Sequence, residues 1–393
     1  MAQFDPQLEN LVREMNVGSA TAPKRAKAGD PLMTPSTGPG AFEGLDEVLK
    51  YAVDRGASDI LMTDGSGLTL RLQGGLVTSE KPVLKDGTIR ALVAPLLTET
   101  YRQDLENNFT VDFGFVRQGI GRFRANLHFQ RGTLGVALRV LPKEVPTVES
   151  LGLPRQLGSL ADRKKGLILV TGSAGSGKST TLAALIGLIN ERHAHHIVTI
   201  EDPIEYRHAN QKSVVEQIEV GRDTRSFASA LRSILRQSPD VILVGEIRDS
   251  ETMSAAITAA ETGHLVLATL HTNDAIRAIG RVVDGFPSDQ QNQIRQQLSL
   301  GLIAVVAQQL IPSADGRRRH LAVEVLMGNN AVSNLIRRGE DHMLRSQLSL
   351  GKAEGMVMME ESLAGLVKQG LISADAAAAH CLRPDELRRY LNG

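Results

Sequence analysis

The chain has 393 residues, enough for two or three domains, and 42% of them are hydrophobic, enough to fill their cores. Lysine plus arginine (44) balances aspartate plus glutamate (44), which argues against a nucleic-acid coat or a polybasic membrane binder, and 3% aromatics without tryptophan argues against stacking platforms for single strands. The single cysteine, Cys381, excludes an internal disulfide and a four-cysteine zinc site.

Residues 1–10 carry no basic segment followed by an apolar one, so no secretory signal is expected. No apolar run approaches the ~18 residues of a membrane span, and stretches such as 301–307 are core-sized. The expectation is a cytoplasmic, mixed α/β protein without a transmembrane segment.

Within residues 1–16, Phe4, Leu8, Leu11, Val12 and Met15 recur at helical spacing. A short docking helix and a frayed tail fit this pattern equally. Residues 17–40 are dominated by Gly, Pro, Ala, Ser and Thr, which predicts a flexible linker, so residues 1–41 read as an N-terminal extension. Residues 42–141 read as a small α+β domain, with a helix at 44–55 and strands near 59–62, 69–72, 121–129 and 135–140. Pro142, Pro146 and Pro154 then punctuate 142–165, which predicts an interdomain linker.

From residue 166 the pattern changes. Near-continuous apolar runs at 167–171, 197–200, 241–244 and 265–270 alternate with helical stretches, as in a parallel sheet buried on both faces. A hairpin at 309–327 and two or three helices from about 328 complete the 166–393 domain.

Gly172-Ser-Ala-Gly-Ser-Gly-Lys-Ser179 matches the phosphate-binding loop pattern, and it follows a predicted strand and opens a predicted helix, as the motif requires. Gly172, Gly175 and Gly177 let backbone N–H groups turn toward phosphate oxygens, and the helix adds its positive end. Lys178 is the residue to reach the β- and γ-phosphates, and Ser179 the ligand for Mg²⁺. Ser176 and Thr180 complete the candidate nucleotide site.

Ligands of an open parallel sheet bind at the carboxyl ends of its strands. Those ends carry Glu201-Asp202-Pro203 with Glu205 next, Gly245-Glu246-Ile-Arg-Asp249, and His271-Thr272. Glu246 is the first choice for the carboxylate that polarises an attacking water, with a part in holding Mg²⁺ through water. Glu201 and Asp202 are candidates for positioning water and Mg²⁺. Each acid alone is as well read as a strand-end or N-cap carboxylate; their joint placement favours chemistry. His271 is placed to sense a γ-phosphate, whereas His264 precedes the same strand and is weaker on geometry. Arg232 and Arg236, four apart on a predicted helix, and Arg124 and Arg139, on predicted strands, are either solvated surface charges or arginine fingers supplied across a subunit interface. Spacing alone does not decide between these.

Taken together the motifs resemble the secretion ATPase superfamily of type II/IV systems, and within it the PilT-type motors of type IV pilus retraction. The resemblance covers nearly everything after residue 42. It is carried by the P-loop, by Thr199-Ile-Glu-Asp-Pro-Ile-Glu-Tyr206 (the Asp box), by residues 245–249 (Walker B), by Thr262-Gly-His264 with His271-Thr-Asn273 (the His box), and by Gly121-Arg-Phe-Arg124 and 231–240. It implies a PAS-like N-terminal domain, a RecA-like ATPase domain and a homohexameric ring with ATP between the domains. It also implies Arg124, Arg139, Arg232 and Arg236 at the nucleotide or at subunit contacts, Glu246 as catalytic carboxylate, and His264 and His271 as His-box residues. The implied partners are an inner-membrane platform protein at the pilus base and, indirectly, pilin.

The chain departs from that pattern at Leu61, Ser173, Ala174 and Ser238, and in Ala331-Val-Ser-Asn-Leu335, where Ser333 replaces the arginine of the retraction motors' C-terminal motif. Extension and secretion motors commonly carry a four-cysteine zinc module. Its exclusion here favours retraction over the alternative, a zinc-less extension or type II secretion motor. A regulatory component without turnover is disfavoured by Lys178, Ser179 and Glu246, and a nucleic-acid translocase by the neutral charge.

Overall fold

The computed structural model describes residues 42, 44–72, 74–316 and 318–392. The helix or tail expected at 1–16 and the linker expected at 17–40 lie outside the described residues. The chain divides into two compact units, with the boundary between Glu144 and Val145.

The first unit is a fully antiparallel sheet with helices on one face. In chain order it runs α1 (Leu45–Asp54), β1 (Asp59–Met62), β2 (Gly67–Leu72), β3 (Gly75–Val83), α2 (Asp86–Val93), α3 (Glu99–Asn108), β4 (Thr110–Arg117), β5 (Gly121–Gln130) and β6 (Thr133–Leu141). The sheet order is β3-β2-β1-β6-β5-β4. Period-two alternation sets its faces. Phe123, Ala125 and Leu127 of β5 point into a core shared with Val48, Leu49 and Ala52 of α1 and Ile89 and Val93 of α2. Arg124, Asn126 and His128 alternate with them on the other face.

The second unit holds a seven-stranded sheet in the order β13-β12-β7-β11-β10-β8-β9. Its strands are β7 (Gly166–Thr171), β8 (His196–Glu201), β9 (Val214–Glu219), β10 (Val241–Val244), β11 (Leu265–Leu270), β12 (Leu302–Pro312) and β13 (Arg319–Met327). All pairs are parallel except β12 with β13. Every residue of β7, β10 and β11 is buried, as expected of strands covered on both faces. One face packs α4 (Lys178–Arg192). The other packs α5 (Phe227–Ile234), α6 (Ser250–Glu261), α7 (Ala275–Asp284) and α8 (Ser288–Gly301).

Residues 145–165 do not run as a free connection. A 3-10 helix at Arg155–Asp162 buries Leu157 and Leu160, and with Val148 and Leu153 they join the core over α4. The C-terminal part has five helices rather than two or three: α9 (Asn330–Arg338), α10 (Leu344–Leu350), α11 (Met359–Lys368), α12 (Ala374–His380) and α13 (Pro384–Asn392). Met359, Leu363, Ile372, Ala377 and Leu387 make a small core with Ile311 and Ala322 of the hairpin. An N-terminal sheet unit followed by a P-loop unit with a helical C-terminus is the α/β organisation that the resemblance implies. No helix among the described residues is long and apolar enough to cross a membrane.

Candidate active site

Strands β7, β8, β10 and β11 run parallel, so their carboxyl ends bring four loops to one edge of the sheet. The loop after β7 is the glycine-rich one. Gly172 has φ +148, and a Cβ there would lie 2.4 Å from Ser176 Oγ and 2.5 Å from the Gln308 carbonyl oxygen. Gly177, with φ +90, is the left-handed N-cap of α4. Gln308 of β12 donates from Nε2 to the Ser176 carbonyl at 2.8 Å and so braces the loop from the neighbouring strand.

The Lys178 ammonium folds back over the loop, donating to the Gly172 carbonyl at 2.8 Å and the Ser173 carbonyl at 2.9 Å. Burial lowers its pKa, and the negative charges of Glu246 and Glu205 act against that shift. The buried Ser176 hydroxyl has no hydrogen-bond partner among the described residues. A ring of backbone turned by three positive-φ glycines, with an ammonium in its mouth and an unused hydroxyl beneath, fits a polyphosphate. Ser179 is exposed at the first turn of α4 and can offer its hydroxyl to a cation there.

His271 lies between the loop and β10. Its Nδ1 is 3.5 Å from Lys178 Nζ and its Nε2 is 2.9 Å from Glu246 Oε1. The other oxygen of Glu246 accepts a 2.7 Å hydrogen bond from Arg248. That guanidinium is the main reason the Glu246 carboxyl is held below its ordinary range, against the effect of burial, and His271 adds to it. Gly245 permits the approach of this loop to β8, since a Cβ there would stand 3.0 Å from the Ile200 carbonyl oxygen.

The loop after β8 rearranges the roles expected of its acids. Glu201 turns inward: Thr199 donates to its Oε1 at 2.7 Å and Gln217 at 3.1 Å, and burial pushes its carboxyl up. Asp202 is exposed, precedes a cis proline, and acts by charge on Arg248. Glu205, three residues further on, is the acid of this loop whose charge acts on Lys178. In the sequence Glu205 stands beside Glu201 and Asp202 without a role of its own, because nothing in the spacing tells the three acids apart. Tyr206 of the same loop meets Thr180 of α4, hydroxyl to hydroxyl, at 3.1 Å.

The remaining candidates of the second unit share none of these hydrogen bonds. His264 precedes β11, with Nδ1 3.0 Å from the Ala259 carbonyl oxygen. The intervening strand puts it roughly 23 Å along the chain direction from His271, at the opposite edge of the sheet. Arg232 on α5 pairs with Glu251 on α6, and Arg236 follows α5 on the surface. Arg124 and Arg139 belong to the first unit, where they face each other across β5 and β6. Arg124 lies 3.5 Å from Asp112, and Arg139 2.9 Å from Asp59.

Residues 124–374 match the family model described as "Type II/IV secretion system protein". The type IV pilus ATPase PilU of Pseudomonas aeruginosa is 42% identical over 344 residues, which is 88% of this chain and 90% of that protein. The "Type IV pilus retractation ATPase PilT" of the same organism is 42% identical over 341 residues, 87% of this chain and 99% of that one. Among solved structures, that of the pilus retraction motor PilT with bound ADP superposes with a TM-score of 0.82 at 46% identity, covering 89% of this chain and all of that one.

Proposed function

The chain belongs to the type II/IV secretion system protein family, and from this premise we propose that it is a homohexameric, ATP-hydrolysing motor that powers type IV pilus retraction and with it twitching motility. The observation that carries the catalytic part is the contiguous set Lys178, His271, Glu246 at the mouth of the P-loop. The retraction part is supported by the names of the relatives, each matched over most of its length.

In hydrolysis a water adds to the γ-phosphorus, the bond to the β–γ bridging oxygen breaks, and ADP and phosphate leave. The turned backbone from Gly172 to Gly177 receives the phosphates, with Ser176 and Thr180 flanking it. Lys178 exchanges its two carbonyl contacts for the β- and γ-oxygens. Glu246, kept ionised by Arg248, orients the water in line and takes up its proton. His271 touches both Lys178 and Glu246 and so reports whether the γ-phosphate is in place. Glu205 supplies a second carboxylate from the facing loop. Ser179 is the residue to hold Mg²⁺, with Glu246 through water; the ion supplies charge neutralisation on the transferred group.

Arg124, Arg139, Arg232 and Arg236 are assigned to the nucleotide site or the contacts of a neighbouring subunit in the ring. The motor works without zinc, in the cytoplasm, docked on an inner-membrane platform protein, and moves pilin through it.

The test is ATP turnover and nucleotide binding of purified variants. Lys178→Ala is expected to weaken binding of ATP. Glu246→Gln is expected to keep binding and to lower turnover on the order of 10²-fold or more. Undiminished turnover in Glu246→Gln would remove that residue from its role.

A further inference from the structure

Strand β9 lies at the edge of the sheet, away from the P-loop, and none of the motifs includes it. Its residue Gln217 nevertheless holds the loop that carries Glu205. The Gln217 amide nitrogen donates to Glu201 Oε1 at 3.1 Å and to the Tyr206 carbonyl at 2.8 Å. Its oxygen accepts the backbone N–H of His208 at 3.0 Å. One side chain thus fixes the loop before and after Glu205. Two further ties act on the same segment: Glu219, two residues along β9, accepts the Ile204 N–H at 3.1 Å, and the Tyr206 hydroxyl meets Thr180 at 3.1 Å.

Both groups bound by the Gln217 nitrogen are acceptors, so only a donor serves at that position. Glu201 is half-buried and also accepts from Thr199 and from the Glu205 backbone, so losing the Gln217 donor leaves its carboxylate under-satisfied and lets it pull on the loop. Besides Gln217 and Glu219, the segment is tied to α4 by the hydroxyl pair and, just beyond it, by Asn190, whose Nδ2 donates to the Ala209 carbonyl at 2.8 Å. Loss of the three Gln217 bonds loosens the stretch between these ties, and a shift of about an ångström there moves Glu205.

We propose that Gln217 is a positioning residue for the hydrolytic step, fixing the 201–208 loop, and Glu205 within it, on β9. This rests on the reading of the site as an ATPase and names a residue that the reading alone does not require. Gln217 touches neither Lys178 nor the glycine-rich loop, so the phosphate cradle itself is left intact by its loss.

The experiment uses the full chain with four variants: Gln217→Glu, Gln217→Leu, Glu205→Gln, and Gln217→Glu combined with Glu205→Gln. Gln217→Glu keeps the shape and the bond from His208 but loses both donated bonds; Gln217→Leu loses all three. Turnover is measured with KM, and binding with a fluorescent ADP analogue.

The expected result is kcat lower on the order of 10- to 100-fold in both Gln217 variants, with analogue affinity changed less than about threefold. The double variant should be no slower than Glu205→Gln alone, because Gln217 acts through Glu205. A general structural role would instead lower affinity and turnover together, and add its loss to that of Glu205→Gln. Either pattern, or full turnover in Gln217→Glu, overturns the proposal while the wild type remains active. A wild type without ATP turnover would overturn the ATPase reading, and this assignment with it.

Discussion

Gly172 shows how much of the site depends on single atoms. Its φ of +148 is a conformation that side chains rarely adopt, and the neighbours of an added Cβ include the Gln308 backbone carbonyl, which cannot swing away. Gly172→Ala is therefore expected to lose binding of the fluorescent ADP analogue and to destabilise the chain by more than about 1 kcal/mol. Calorimetry and titration check both parts, and normal binding would show that the loop has another way to close. The P-loop was legible in the sequence because its chemistry requires a fixed local spacing. Glu205 was not, because its place depends on how a loop folds back on β9. His264 and His271 look alike in sequence, flanking one strand; only the strand's direction separates them.

At the scale of elements, β7, β8, β10 and β11 were legible because burial on both faces leaves them almost wholly apolar. Strands β3, β4 and β9 were not, since edge strands carry polar residues such as Thr78 and Glu80 or Glu216 and Glu219. The prolines of 142–165 suggested a linker, while the apolar spacing of Leu153, Leu157 and Leu160 carried the packing.

The loop between β8 and β9 has its own pH dependence. Burial depresses the His208 pKa from 6.5 to about 4. The folded state binds that proton more weakly than the unfolded state, so the contribution is full above pH 6.5 and fades as pH falls through about 4. It amounts to at most about 3 kcal/mol. Urea unfolding of wild type and His208→Gln should therefore diverge between pH 6.5 and pH 4, with the wild type losing more; parallel curves would mean that His208 is solvated. Elsewhere, Arg345 of α10 joins β13, α11 and α13. It lies 3.3 Å from Glu324 and 2.8 Å from Glu360, both 1% exposed, and also pairs with Glu386. Arg345→Met would leave buried carboxylates uncompensated, at an expected loss of about 3–5 kcal/mol in the same assay. A loss below about 1 kcal/mol would show that the carboxylates take up protons instead.

At the scale of the whole molecule, the direction of the motor is the property least tied to the catalytic residues. Extension and retraction both run on ATP hydrolysis, so a P-loop site argues equally for either. The distinction rests on what surrounds it. The single cysteine rules out a four-cysteine module, and the relatives that match over most of their length bear pilus ATPase and retraction names. Against this stands Ser333 on α9, where retraction motors carry arginine; it is half-buried, beside Val332, which packs into the core. A strain lacking the gene separates the cases. Retraction predicts abundant surface pili with surface motility lost, and rescue of motility by the wild-type chain but not by Lys178→Ala. Restored motility would also show that α9 delivers its output with serine at that position. Missing pili would identify an extension or assembly motor, one whose chain carries a single cysteine.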